Sequence, residues 1–134
     1  MTDHELLKIA KEAMQNAYAP YSHFSVGAAL ECADGQVITG CNVENGSLGL
    51  TICAERAAVA AAVSRGYRHF TRIAVWADSR DYAMPCGACR QVLSEFAPSM
   101  EVLCARGDGR YVSYRLRDLL PEAFRLGSQD DEAL

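Results

Sequence analysis

Three cysteines, Cys53 and then the pair Cys86 and Cys89, limit this chain more than any other feature. Cys53-Ala54-Glu55 offers a thiol with a carboxylate two residues on, and Pro85-Cys86-Gly87-Ala88-Cys89 offers two thiols at metal-ligand spacing. A structural zinc takes four protein ligands, whereas a catalytic zinc takes three and keeps a position for water. Three thiols beside one carboxylate match the second pattern. A fold that uses them must therefore bring position 53 against positions 86 and 89 and hold Glu55 beside the open position. Glu55 alone reads as a first-turn glutamate favouring a helix N-terminus. With no fourth cysteine or histidine nearby to close the shell, a role in moving the protons of a zinc-activated water is the stronger reading.

The periodicities describe a fold able to do this. Thr2 and Glu5 form a capping box, and Leu6, Ala10, Ala13, Met14 and Ala17 recur at helical spacing, so the chain opens with a helix that stops before Pro20. Ser25 to Cys32 and Gln36 to Asn42 flank Ala33-Asp34-Gly35 as a hairpin. A polar, glycine-containing loop, Val43 to Thr51, leads to an alanine-rich helix from Cys53 to Arg65, buried on more than one face. Ile73 to Trp76 reads as a third strand, followed by a loop to Pro85 and a third helix from Gly87 to Phe96. Val102 to Cys104 and Tyr111 to Tyr114 are a fourth and a fifth strand. The segment between them, Arg106 to Arg110, is too short for a parallel crossover, so this pair is antiparallel. Arg117 to Phe124 forms a last short helix, limited by Pro121.

The expected class is α/β: a three-layer α/β/α sandwich around a five-stranded mixed sheet, its last two strands antiparallel. Two strand–helix–strand units make strands two, three and four run parallel with right-handed crossovers. Cys53 and the Cys86/Cys89 pair then fall at the N-termini of the crossover helices, beyond the C-terminal ends of strands, where open α/β sheets place their sites. Two helix N-termini would help offset the charge of three thiolates. Arg56 reads equally as a further positive charge on the sulfurs or as a solvated helix residue.

The bulk composition narrows the function. The chain of 134 residues carries 17 acidic and 13 basic side chains, a net charge of −4, which opposes a nucleic-acid substrate. No apolar run is long enough to cross a membrane. Met1-Thr2-Asp3-His4-Glu5 lacks the basic-then-apolar plan of a signal peptide, so six cysteines point to metal chemistry in a reducing, cytoplasmic compartment rather than to disulfides. Cys32, Cys41 and Cys104 lie in apolar strands and read as small buried hydrophobes. His4, His23 and His69 have no ligand spacing. A zinc-stabilised binding module is the rival from another class, opposed by the missing fourth ligand. A thiol redox protein would leave Cys53-Ala54-Glu55 unexplained.

At these residues the chain resembles the short, homotetrameric cytidine deaminases. The likeness runs from Pro20-Tyr21-Ser22 to Leu119-Leu120-Pro121-Glu122-Ala123-Phe124. It is carried most specifically by Phe24-Ser25-Val26-Gly27-Ala28-Ala29-Leu30, Gly40-Cys41-Asn42-Val43-Glu44-Asn45, Thr51-Ile52-Cys53-Ala54-Glu55-Arg56 and Pro85-Cys86-Gly87-Ala88-Cys89-Arg90-Gln91. The resemblance implies one Zn2+ per chain on Cys53, Cys86 and Cys89, with Glu55 as the proton shuttle that also holds N3 of the pyrimidine. It implies hydrolytic deamination of cytidine and 2′-deoxycytidine at C4, in pyrimidine salvage. Asn42 and Glu44 would hold the ribose 3′-hydroxyl, Phe24 would pack on the base, and Ala54 would join the substrate contacts. Without the resemblance, Asn42 and Glu44 read as turn residues and Phe24 as core. Leu48 stands where the family usually has a tyrosine that reaches a neighbouring subunit's site, and Phe124 matches a C-terminal phenylalanine that closes a neighbour's pocket. The implied assembly is a homotetramer with active sites near subunit interfaces. Leu48 keeps open a rival substrate, a modified or antibiotic aminopyrimidine nucleoside. Residues 1–126 would form a single domain of this type, and residues 127–134 an acidic, mobile tail.

Overall fold

The computed structural model describes residues 1–126, so the expected tail at 127–134 lies outside the described residues. Helix α1 spans Asp3–Met14, and the hydroxyl of Thr2 and the carboxylate of Glu5 close its capping box. Strands β1 (Val26–Cys32) and β2 (Val37–Cys41) form the hairpin, with Gly35 at φ 92° in its turn. Helix α2 (Ala54–Ser64) has Cys53 as its N-cap. Strand β3 (Phe70–Ala77) follows, then α3 (Gly87–Phe96), with Cys86 as its N-cap. Strands β4 (Glu101–Ala105) and β5 (Tyr111–Arg115) and helix α4 (Leu116–Leu119) complete the order.

Among the described residues the five strands make one mixed sheet in the order β2-β1-β3-β4-β5. β2, β3 and β4 point the same way, as expected, but β1 lies between β2 and β3 and pairs antiparallel with both. The only parallel neighbours among these strands are β3 and β4, while β4 and β5 are antiparallel. α4 is shorter than the helix expected over 117–124. The residue before a proline is sterically pushed out of the α region, and Leu120, which precedes Pro121, takes φ −145° and ψ 70°.

Alternation along the strands divides the core in two. Ala29, Ala74, Trp76 and Leu103 face α1, which buries Leu6, Leu7 and Ala10 against them. Ala28, Leu30, Ile73, Val75, Val102 and Cys104 face the other layer, where they meet Ala54, Ala58 and Ala62 of α2 and Leu93 of α3. The alanines of α2 let it sit close to the sheet, and Gly40 of β2 sets how close. A Cβ on Gly40 would lie 2.4 Å from the Ala54 carbonyl oxygen and 2.5 Å from the Ala58 nitrogen. Neither atom can swing away, because both are helix backbone. Gly40→Ala should therefore push the first turn of α2 off the sheet and lower unfolding stability by about 1–3 kcal/mol. Urea denaturation with a parent-like midpoint would show that the approach is not tight.

Arg72 fastens the N-terminal helix to the sheet. Its guanidinium donates to both carboxylate oxygens of Glu31 and to Asp3 Oδ1, each at 2.8 Å. Tyr111 donates its hydroxyl to the other Asp3 oxygen at 3.0 Å. The hydrogen bond from Arg72, working against burial, holds the Glu31 carboxyl below its ordinary range.

Candidate metal and nucleoside site

The crossover connections deliver the three thiols to one place. Cys53 ends the connection from β2, Cys86 ends the loop from β3, and Cys89 lies in the first turn of α3. Among the described residues these are the one group of three or more candidate ligands, with their sulfurs all within 4.8 Å of one another. The Cys53 and Cys86 sulfurs are 3.9 Å apart. The edge of a zinc tetrahedron with Zn–S bonds of about 2.3 Å is about 3.8 Å. All six cysteines are unpaired.

The electrostatics agree with the geometry. Three sulfurs this close cannot all carry negative charge without a cation between them. Burial raises the Cys89 thiol, and the charges of Glu55 and Cys53 push it further in the same direction. Burial also raises Cys86, but the amides of Cys89 and Ala88 and the neighbouring thiols outweigh it and hold Cys86 below its ordinary value. Arg56 turns onto the sulfurs: Nη2 donates to Cys53 Sγ at 3.5 Å, and hydrogen bonding to Cys53 and Cys89 raises the guanidinium above its already high value. Of the two readings the sequence left open for Arg56, the structure takes the one on sulfur. The donor set thus fits a divalent zinc, with two helix N-termini and one guanidinium moderating its thiolates.

Glu55, in the first turn of α2, is 4% exposed. Burial pushes its carboxyl up, against the pull of its own backbone amide, the Arg56 charge and Cys89. It faces a cavity of about 450 Å³ whose lining includes Cys53, Cys86, Ala54, Asn42 and Phe24. Cys104 lies beneath the site, pushed up to about 12 by burial with the Glu55 charge adding, so it stays a neutral thiol. Cys32 is likewise buried and raised, whereas Cys41 is half-buried.

Asn42 and Glu44 are already engaged with the chain. Asn42 Oδ1 accepts from the Val26 amide at 2.9 Å, and Nδ2 donates to the Phe24 carbonyl at 2.7 Å. Glu44 Oε1 accepts from the amides of Tyr21 and Ser22 at 3.0 and 3.1 Å, and Oε2 accepts from the Ser22 hydroxyl. That hydroxyl, with the two amides, holds the Glu44 carboxyl below its ordinary range. Asn42 lies on the cavity wall, while Glu44 is outside its immediate lining. Phe24 lies on the cavity wall and is 47% exposed, not core.

The remaining two expected residues do not reach the chain's own cavity. Leu48, in a 3-10 turn over Leu48–Leu50, is 73% exposed, and Phe124 is 69% exposed. The backbone at Phe124 is tied to α3 by Gln91 Nε2, which donates to its carbonyl at 3.1 Å. Arg90 does the same nearby, donating to the carbonyls of Pro85 at 2.8 Å and Leu119 at 3.0 Å.

Residue reading overlooked the loop between β3 and α3, whose Ser79, Asp81, Tyr82, Ala83 and Met84 line the cavity. The available signal was positional: a segment ending on Pro85-Cys86 must run along the site it delivers. The loop is braced by the β4–β5 turn. Gly107 donates to the Ser79 carbonyl at 2.8 Å, and the Arg106 guanidinium stacks 5.1 Å from the Tyr82 ring centre.

The family described as the cytidine and deoxycytidylate deaminase zinc-binding region matches residues 1–105, and the chain belongs to it. The cytidine deaminase of Halalkalibacterium halodurans is 46% identical over 127 residues, covering 94% of this chain and 96% of that one. The cytidine deaminase of Mycobacterium tuberculosis H37Rv is 50% identical over 117 residues, covering 87% and 85%. Among solved structures, a cytidine deaminase from Burkholderia pseudomallei superposes with a TM-score of 0.90 at 50% identity, over 92% of this chain and 100% of the other.

Proposed function

We propose that this chain is a zinc-dependent cytidine deaminase, converting cytidine and 2′-deoxycytidine to uridine and 2′-deoxyuridine with release of ammonia, in pyrimidine salvage. One observation carries the reading: a cluster of three thiols and a buried carboxylate open onto one nucleoside-sized cavity. Cys53, Cys86 and Cys89 hold the metal, and zinc bound there supplies a Lewis acid that makes water nucleophilic near neutral pH. Glu55 moves the protons. Its carboxyl, raised by burial, would take one proton from water and give it to ring N3, then take the hydroxyl proton of the C4 adduct and give it to the amine as the C4–N bond breaks. Arg56 keeps the sulfur cluster from becoming too negative to support this chemistry. Phe24 packs on the base, and Asn42, Glu44 and Ala54 add substrate contacts. Apolar Val75 and Ala83 also line the cavity and help to limit water around the base.

The exposed apolar side chains of Leu48, Leu50 and Phe124 support a homotetramer in which neighbouring subunits help to enclose the sites. The unpaired thiols support a cytoplasmic setting, and among the described residues no helix is long and apolar enough to cross a membrane.

The test is ammonia release from a panel of nucleosides and free bases. Cytidine and 2′-deoxycytidine should be the preferred substrates, and a parent protein inactive on every aminopyrimidine nucleoside would overturn the reading. The same assay probes the sugar contacts. Glu44→Ala and Asn42→Ala should each lower kcat/KM for cytidine by about tenfold or more, because a buried hydroxyl partner is lost, while zinc content stays at the parent level. Parent-like kinetics in both variants would remove these residues from ribose recognition.

A further inference from the structure

We propose that Ser22 is a positioning residue for substrate recognition, its one hydroxyl setting both the carboxylate that meets the sugar and the backbone that presents Phe24. The proposal rests on the nucleoside-deaminase reading of the site. It comes from the segment between α1 and β1, which has no regular secondary structure beyond an isolated bridge from Tyr18 to Val43. This segment turns sharply at His23, whose φ of 59° lies in the left-handed region that favours glycine. A turn built on a strained residue needs partners to hold it, and side chains supply them.

The Ser22 hydroxyl donates to Glu44 Oε2 and accepts from the Phe24 amide at 3.0 Å. One hydroxyl carries one donor and two acceptor sites, so both contacts form at once. On the other side of Phe24, the Asn42 carboxamide takes its carbonyl at 2.7 Å. Both main-chain polar groups of Phe24 are therefore fixed by side chains, one through Ser22 and one through Asn42. The ring on the cavity wall inherits its position from these two bonds. Glu44 is fixed by the same serine, since Oε2 receives the hydroxyl while Oε1 takes the amides of Tyr21 and Ser22. Oε2 keeps a further lone pair for a ligand hydroxyl. Ser22 thus couples Phe24 on the cavity wall to Glu44 just outside it, without lining the cavity itself.

Removing the hydroxyl leaves ligand groups in place but loosely held. Such a change weakens ground-state and transition-state binding alike, which raises KM and leaves kcat unchanged. Ser22→Ala should raise KM for cytidine by about tenfold, the scale of one hydrogen bond to a charged group, with kcat, zinc content and melting temperature near the parent. Ser22→Thr, which keeps the hydroxyl, should restore KM. Amide hydrogen exchange gives a second readout that needs no substrate: the Phe24 amide should exchange faster in Ser22→Ala and at the parent rate in Ser22→Thr. A parent-like KM in Ser22→Ala, or a fall in kcat at unchanged KM, would overturn the proposal. If the parent does not deaminate cytidine, the functional reading falls by itself, and parent-like exchange at Phe24 in Ser22→Ala would independently overturn the positioning role of the Ser22 hydroxyl.

Discussion

Glu55→Gln should fold, bind zinc and lose about 10²–10⁴-fold in kcat, the range that acid–base assistance contributes. Glutamine fills the same space at a position only 4% exposed, so the surrounding packing need not change. It cannot take up and return a proton near neutral pH. The parent carboxyl is raised by burial, which suits a group that must be protonated at one stage of turnover and ionised at another. Burial also makes the variant easier to tolerate, since a neutral amide costs less to bury than a carboxylate. Cytidine binding should survive, because the proposed ribose and stacking contacts do not use Glu55. The measurement is ammonia release by zinc-replete variant beside the parent, with zinc quantified in both. Parent-like turnover would take Glu55 out of the mechanism.

Cys86→Ala should lose the metal and the activity together. Two thiols remain, but one ligand of three is missing from a site that keeps no protein ligand in reserve: among the described residues no other cysteine, histidine or carboxylate joins the cluster. The alanine also takes the N-cap sulfur of α3 away from the Ala88 and Cys89 amides, but Cys86 is exposed and water can replace it there. The helix should therefore persist, and circular dichroism should stay near the parent while metal analysis falls from one zinc per chain toward none. Full zinc occupancy in the purified variant would overturn the assignment of Cys86 as a ligand.

Much of this was legible in the sequence because the strongest signals are local. The capping box at Thr2 and Glu5, the hairpin around Asp34-Gly35 and the bounds of α3 each depend on residues within a few positions, and they stand as expected. The thiol cluster was legible for a different reason, since metal chemistry constrains residue type and number independently of the path between them. Two things were not legible. The placement of β1 between β2 and β3 is a long-range pairing, joining Gly27 to Trp76, which no local pattern encodes. The cavity wall at Ser79 to Met84 has no periodicity and takes its shape from Gly107 and Arg106, distant in sequence. Asn42 and Glu44 fall between these cases. The sequence reads them as turn residues or, through the resemblance, as sugar ligands; the structure puts neither in a turn and uses both to tie the chain to the distant segment from Tyr21 to Val26.

The insertion of β1 also bears on how the molecule assembles itself. The sheet joins two pieces with short-range wiring: the β1–β2 hairpin with α2 laid against it through Gly40, and the β3–α3–β4 unit. The seam between them is the β1–β3 ladder, whose partners are 38 to 51 residues apart, from Cys32↔Phe70 to Val26↔Ala77. Contacts of that separation cost the most chain entropy and form slowly. Cys53 travels with the first piece and Cys86 and Cys89 with the second. The three sulfurs meet only when the seam closes, so the same step that completes the sheet completes the reactive centre, and a half-folded chain carries the parts of a deaminase with no place yet for the reaction to occur.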